Sequence, residues 1–314
     1  MELKPVQPFE PITTNLLPSG DRWVAQVKWD GVRMLAYYDG HASRLINRKG
    51  NDRTRQYPEF TDVTGYCRAQ SVILDGEMIA IEGGKPSFHA IMKRDSLRKQ
   101  SEIDAGVQRV AVSYMIFDVL YLNGEWLTGR TLEQRQQLLQ ELIMPHERLQ
   151  LCQNYNDAEQ LYAVMKQHGW EGVVCKNLDS AYAIGGKDKR WQKKKIFRDL
   201  YAAVGGVTYR DGIVNALLLG LYDQHGRFLY IGHAGAGRFT TEDWRRVTKE
   251  AERLKADARP FDNTPQRVKG AAWIVPSLTV KVEYLEWTNG GTLRHPVLQG
   301  LTTVPAEQCV TAQI

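Results

Sequence analysis

Lys28-Trp29-Asp30-Gly31-Val32-Arg33 joins two short apolar and aromatic runs, Trp23–Trp29 and Arg33–Tyr38, that read as β-strands. A lysine placed there can attack the α-phosphorus of a nucleotide and hold the nucleotidyl group as a phosphoramidate, dividing one hard transfer into two easier ones. A free lysine, with a pKa near 10.4, is mostly protonated at neutral pH. It needs cationic or desolvating neighbours before it becomes a nucleophile. Gly31 would let backbone approach a phosphate, and Arg33 offers one a fork. By itself the hexapeptide reads equally well as a strand end, a turn and a solvated arginine.

Working outward, further signals follow in order. Tyr57-Pro58-Glu59-Phe60 precedes Leu74-Asp75-Gly76-Glu77, read as a strand ending in a turn with two carboxylates. Phe117-Asp118 ends another apolar strand, Ser113–Asp118; Glu171-Gly172-Val173-Val174 starts a third, and Trp191-Gln192-Lys193-Lys194-Lys195 closes the series. Together they supply a nucleophile, a base-stacking aromatic, carboxylates for sugar and metal, and cations for phosphates. That inventory suits phosphoryl transfer, which rests on positioning and charge neutralisation. Helical patterns sit between the strands: Leu132–Ile143, N-capped by Thr131, and Asp157–His168, stopped by Gly169.

Composition sets the bounds. The 314 residues are 43% hydrophobic and 25% charged, as in a globular protein long enough for one large domain or two ordinary ones. The net charge is only +5, but its distribution is uneven. Arg44, Arg48, Lys49, Arg53 and Arg55 face a lone Asp52, and seven Lys or Arg side chains between 187 and 198 face a lone Asp188. Such clusters suit phosphate contacts. The four cysteines are scattered with no CxxC pair, which argues against a zinc site or a disulfide framework. The Pro-rich N-terminus lacks a signal-peptide pattern and no apolar run would span a bilayer, so a cytoplasmic protein without membrane association is expected. After Phe197 the pattern changes. Tyr201–Thr208, Asn215–Tyr222, Arg227–His233 and Thr279–Trp287 read as strands around one helix, Thr241–Lys255, which fits an OB-fold barrel. The expected fold is α+β: antiparallel sheets with flanking helices over 1–196, then an OB-fold β-barrel over 197–314.

The ordered series resembles the motifs of the covalent nucleotidyltransferase superfamily, and most closely those of small bacterial ATP-dependent DNA ligases, including the ligase module of bacterial end-joining enzymes. The resemblance implies that Lys28 is the adenylated nucleophile. It implies that Arg33 and Arg48 contact nick and nucleotide phosphates, that Glu77 binds the AMP ribose and a metal, and that Phe117 stacks on adenine. Glu171 would be a metal-site carboxylate, and Lys193 and Lys195 would contact the α-phosphate. Repulsion from that pair would also favour the neutral Lys28 amine. In the second domain, Tyr230–Phe239 resembles a Gly-rich hairpin, and Glu283–Leu301 resembles the C-terminal signature of these ligases. There Arg294 is the candidate for DNA contact and for orienting pyrophosphate.

Three positions depart from the pattern. Gln26 stands where Glu is usual, near the adenine; Asn47 replaces a common Ser; Thr302 stands where an arginine is frequent. ATP is still expected as the AMP donor, with Mg²⁺ or Mn²⁺ as the metal. The implied partner is nicked duplex DNA, met by a monomer with or without a DNA-end-binding recruitment protein. Competing readings are an RNA ligase, a capping-type nucleotidyltransferase, and a catalytically weak DNA-binding scaffold.

Overall fold

The computed structural model describes residues 3–314 apart from Ala236, Arg267 and Asn289. Ala236 of the Gly-rich run thus lies outside the described residues. The chain divides into two units, Met1–Ile196 and Phe197–Ile314.

In the first unit β1 (Glu10–Thr13) and β2 (Trp23–Val27) precede β3 (Val32–Tyr38), β4 (Ser43–Asn47) and β5 (Val72–Glu82). The short β6 (Lys85–Pro86) leads into α1 (Phe88–Asp95) and α2 (Gln100–Arg109), followed by β7 (Val112–Leu122) and β8 (Glu125–Trp126). Then come α3 (Leu132–Leu142), β9 (Leu149–Leu151), α4 (Ala158–His168), β10 (Gly172–Asn177) and β11 (Lys187–Lys195). One sheet has the order β1-β11-β10-β2; the other runs β4-β3-β5-β7-β8, with β6 on β5 and β9 on β7. Most pairings are antiparallel as expected, but β1–β11 and β7–β9 are parallel.

Alternation along β2 and β10 separates two environments. Ala25, Val173 and Cys175 turn to Leu161 and Met165 of α4 and form a small core. The intervening residues, Gln26, Val174 and Lys176, therefore turn the other way. A second core fills that side with Leu35, Tyr37, Ile73, Phe117, Tyr182 and Trp191. The helices obey their local signals. Thr131 and Gln134 form a capping box on α3; Asp157 caps α4, which Gly169 ends in the left-handed conformation. The sequence did not mark α1 and α2. Their buried residues include Arg94, Asp95 and Gly106, so no apolar stripe announces them.

The second unit begins with β12 (Arg198–Arg210), β13 (Ile213–Tyr222) and β14 (Phe228–Ala234), then α5 (Thr241–Arg253). β15 (Ala272–Trp273), β16 (Thr279–Tyr284), β17 (Glu286–Trp287), β18 (Leu293–Arg294) and β19 (Val297–Thr302) follow. The order β14-β13-β12-β16-β19 is brought round by a parallel bridge between Gly237 and Leu298, giving the OB-type barrel. Gly237 has φ +152°, and a Cβ there would meet the Leu298 carbonyl at 2.1 Å. This glycine of the Gly-rich run thus serves barrel closure.

Candidate active site

Lys28 follows the last residue of β2, and Val32 begins β3 in the opposing sheet. The four residues 28–31 therefore carry the chain from one sheet to the other and leave Lys28 at the gap between them. The turn is held by packing. A Cβ on Gly31 would lie 2.2 Å from the Met78 carbonyl oxygen, so glycine is needed for backbone contact with β5. This packing reason for glycine stands beside the expected approach to a phosphate. Lys28 N donates to Gly172 O at 2.9 Å, which pins the Lys28 backbone to the start of β10.

Lys28 Nζ is 2.5 Å from Glu171 Oε2, and Lys195 Nζ is 3.0 Å from Glu171 Oε1. One buried carboxylate thus bridges the two ammonium groups that were expected to repel each other. Burial pushes the Glu171 carboxyl up, but Lys28 and Lys195 outweigh it and hold it below the usual carboxylate range. Gly172 makes the placement possible: it has φ +136°, and a Cβ would meet Lys194 O at 2.2 Å. Lys193 lies opposite Val174 in register, and burial with the charges of Lys28 and Lys195 lowers its ammonium. Lys194 turns away to Glu159 and the Tyr162 ring, as alternation requires.

The opposing sheet supplies the other wall. Arg33 Nε and Nη2 clamp Asp75 at 2.5 and 2.6 Å, and Nη2 also reaches Phe9 O at 3.4 Å. Nη1 makes no protein hydrogen bond among the described residues, so it alone remains to meet a phosphate. Burial alone would lower the Arg33 guanidinium, but Asp75 more than offsets it and keeps the charge. Tyr182 Oη donates to the same carboxylate at 2.7 Å. Glu77 lies opposite Arg33 in the β3–β5 ladder. Burial pushes its carboxyl up to about 7 against the pull of Arg33 and Lys28.

Phe117 is 8% exposed, with the Arg33 guanidinium 4.5 Å from its centroid. Lys176 Nζ lies 4.0 Å from the centroids of both Phe117 and Trp191 and has no hydrogen-bond partner. Burial lowers its ammonium to about 7. Sequence reading passed over this lysine; its signal was a charge in an apolar strand, in phase with Val174 on the Lys28 face. It also passed over Asn154, which accepts a hydrogen bond from Gln26 Nε2 at 2.8 Å.

Lys28, Arg33, Glu77, Phe117, Glu171, Lys193 and Lys195 are thus gathered in one cleft between the sheets. Arg48 is exposed in the β4 turn, 3.5 Å from Glu10. Arg294 belongs to the second unit, where Nη1 donates to Glu286 at 2.8 Å. Among the described residues no group of three His, Cys, Asp or Glu side chains stands ready to cage a metal. No helix among them is long and apolar enough to cross a membrane.

A lysine-centred cleft between two sheets, followed by a small OB-type barrel, defines a nucleotidyltransferase architecture. Residues 6–195 match the ATP dependent DNA ligase domain and residues 210–304 the ATP dependent DNA ligase C terminal region; the chain belongs to the ATP-dependent DNA ligase family. It is 32% identical over 265 residues to a DNA ligase of Thermococcus fumicolans, covering 78% of this chain and 47% of the relative. It is 31% identical over 287 residues to the multifunctional non-homologous end joining protein LigD of Mycobacterium bovis, covering 89% of this chain and 36% of the relative. The chain thus spans less than half the length of these two relatives. Among solved structures it resembles mycobacterial DNA ligase D complexed with ATP and MES, at 28% identity and TM-score 0.54, with 99% of each chain covered.

Proposed function

We propose that this chain seals nicks in duplex DNA with ATP, through AMP carried on Lys28. The observation that carries the reading is the placement of Lys28 Nζ at 2.5 Å from Glu171, within a cleft that also holds Glu77, Phe117, Lys193 and Lys195. Lys28 attacks the α-phosphorus of ATP, a P–N bond forms and pyrophosphate leaves. A 5′-phosphate oxygen at the nick then takes the AMP, breaking the P–N bond. The 3′-hydroxyl attacks that activated phosphate, AMP departs and the strand is closed.

The side chains fit these roles. Phe117 offers a face for the adenine, and the unpartnered Lys176 ammonium suits a ring-nitrogen acceptor. Glu77 suits the ribose hydroxyls. Lys193, Lys195 and Arg33 Nη1 meet phosphate oxygens. Two carboxylates, Glu171 and Glu77, suit a hard cation that takes its remaining ligands from phosphates and water. Mg²⁺ or Mn²⁺ there would neutralise phosphate oxygens as charge moves. The basic clusters around Arg48 and Lys187–Arg198, with Arg294 of the barrel, are assigned to the DNA backbone. We place the two units as a 1–196 adenylation domain and a 197–314 OB-fold DNA-binding domain. They would act as a cytoplasmic monomer, and recruitment by a DNA-end-binding protein belongs to the same proposal.

The test uses α-labelled ATP and a nicked duplex. The wild-type chain should form a covalent AMP adduct and seal the nick, and Lys28→Ala should do neither. An adduct that survives Lys28→Ala would refute the nucleophile.

A further inference from the structure

Gln26 shares the face of β2 that carries Lys28, lies opposite Val174 and is 2% exposed. Its Nε2 donates to Asn154 Oδ1 at 2.8 Å, and Asn154 Nδ2 donates to Gln136 Oε1 of α3 at 2.7 Å. Gln26 Oε1 accepts no hydrogen bond among the described residues. Three amides therefore form a relay with a direction, and the direction decides whether Gln26 offers the pocket an acceptor or a donor. Two residues along a strand span about 7 Å. On this face Gln26 therefore lies between Lys28 and Lys176, whose ammonium sits over the Phe117 ring proposed to stack on the base.

Resting on the nucleotidyl transfer proposed above, we infer that this relay admits a second donor, the 6-oxopurine nucleotide GTP, when the three amides turn over together. In the direction the structure shows, Gln26 Oε1 is left to accept from the 6-amino group of adenine. Half a turn at each amide keeps both internal bonds. Gln136 Nε2 then donates to Asn154 Oδ1, Asn154 Nδ2 donates to Gln26 Oε1, and Gln26 Nε2 meets the 6-oxo group. A glutamate at position 26 has no such second state, because its carboxylate only accepts and would confront the 6-oxo acceptor. Lys176 does not oppose the exchange: burial brings its ammonium to about 7, and the neutral amine can accept from a base N–H. The chemistry is unchanged. Lys28 Nζ forms a bond to the α-phosphorus of GTP, the bond to pyrophosphate breaks, and the Nζ proton passes to solvent.

The experiment compares protein labelling by α-labelled ATP and GTP with Mg²⁺, in the whole chain and in Gln26→Glu, Gln136→Glu and Gln136→Lys. A fixed hydrogen-bond mismatch discriminates by about 10⁴–10⁵-fold. The reversible relay should hold GTP within about 100-fold of ATP in the wild type, and Gln26→Glu should restore the larger ratio. Glu at 136 only accepts, locks the relay in the adenine direction and should lower GTP relative to ATP. Lys at 136 only donates and should raise it. The inference is overturned if the wild-type ratio equals that of Gln26→Glu, or if the two variants at 136 share one ratio. Failure of the wild type to label with ATP would instead remove the nucleotidyl-transfer reading, and this inference with it.

Discussion

Lys176→Met should make the protein more stable and its nucleotide chemistry worse. Methionine keeps most of the length and the apolar stem of a residue that is 2% exposed, and removes a buried ammonium with no hydrogen-bond partner. Burial carries that ammonium from its ordinary 10.5 to about 7. Holding the charged form inside therefore costs the fold up to about 4–5 kcal/mol at pH 7. Contact with the faces of Phe117 and Trp191, at 4.0 Å each, returns about 2 kcal/mol. The net gain for the variant is about 2–3 kcal/mol, or a rise in Tm of about 5–10 °C for a unit of this size. The sign follows from a lysine whose folded value is depressed. The penalty is complete below about 7, shrinks as pH rises and vanishes above 10.5, so the advantage of the variant should fade over that window. Thermal melts at pH 7 and pH 10 measure it. Loss of a charged hydrogen bond to the base should lower kcat/KM for AMP transfer by about 10–100-fold. Two results would refute the reasoning: a variant that melts below the wild type at pH 7, or a gap that is the same at pH 10.

Three other outcomes are expected. Asp118→Ala leaves Arg135 charged and unpaired where both partners are fully buried and joined at 2.7 and 2.9 Å, and should cost about 3–5 kcal/mol in urea unfolding. A cost under about 1 kcal/mol would show that the pair is not held as described. Gly31→Ala drives a Cβ against the Met78 carbonyl and should cost about 1–3 kcal/mol while slowing AMP labelling; unchanged melting and labelling would contradict the close approach. Glu77, pushed up to about 7, is protonated longer in the folded chain than in the unfolded one. Its contribution to stability should therefore decline between pH 4.5 and 7, and Glu77→Gln should flatten that slope. A slope unaltered by the substitution would mean that another group titrates there.

Much of the cleft was legible because its residues sit at strand ends and in phase. Lys28, Glu77, Phe117, Glu171, Lys193 and Lys195 each occur where a two-residue period or a turn shows the face they take. Alternation alone separated Lys194 from its neighbours, and β11 places it against Glu159 and Tyr162. The helices α3 and α4 carried their caps in the sequence. The helix α1 offered little beyond its Ser87 cap; it is held by a buried polar side chain, Arg94, which donates to Gln56 O at 2.7 Å and to Glu59.

The sequence by itself determined the α+β class, the OB-type second unit, the order of the motifs and the candidate side chains for the chemistry, since these rest on periodicity, turn residues and residue type. Only the tertiary structure decided who touches whom. Glu171 sits between Lys28 and Lys195, Asp75 takes most of the Arg33 fork, Lys176 lies unpartnered between two rings, and Gln26 is tied through Asn154 to α3. Those pairings join segments up to 143 residues apart. Charge, burial and hydrogen-bond direction at such contacts depend on the packing of two sheets, which no local pattern encodes.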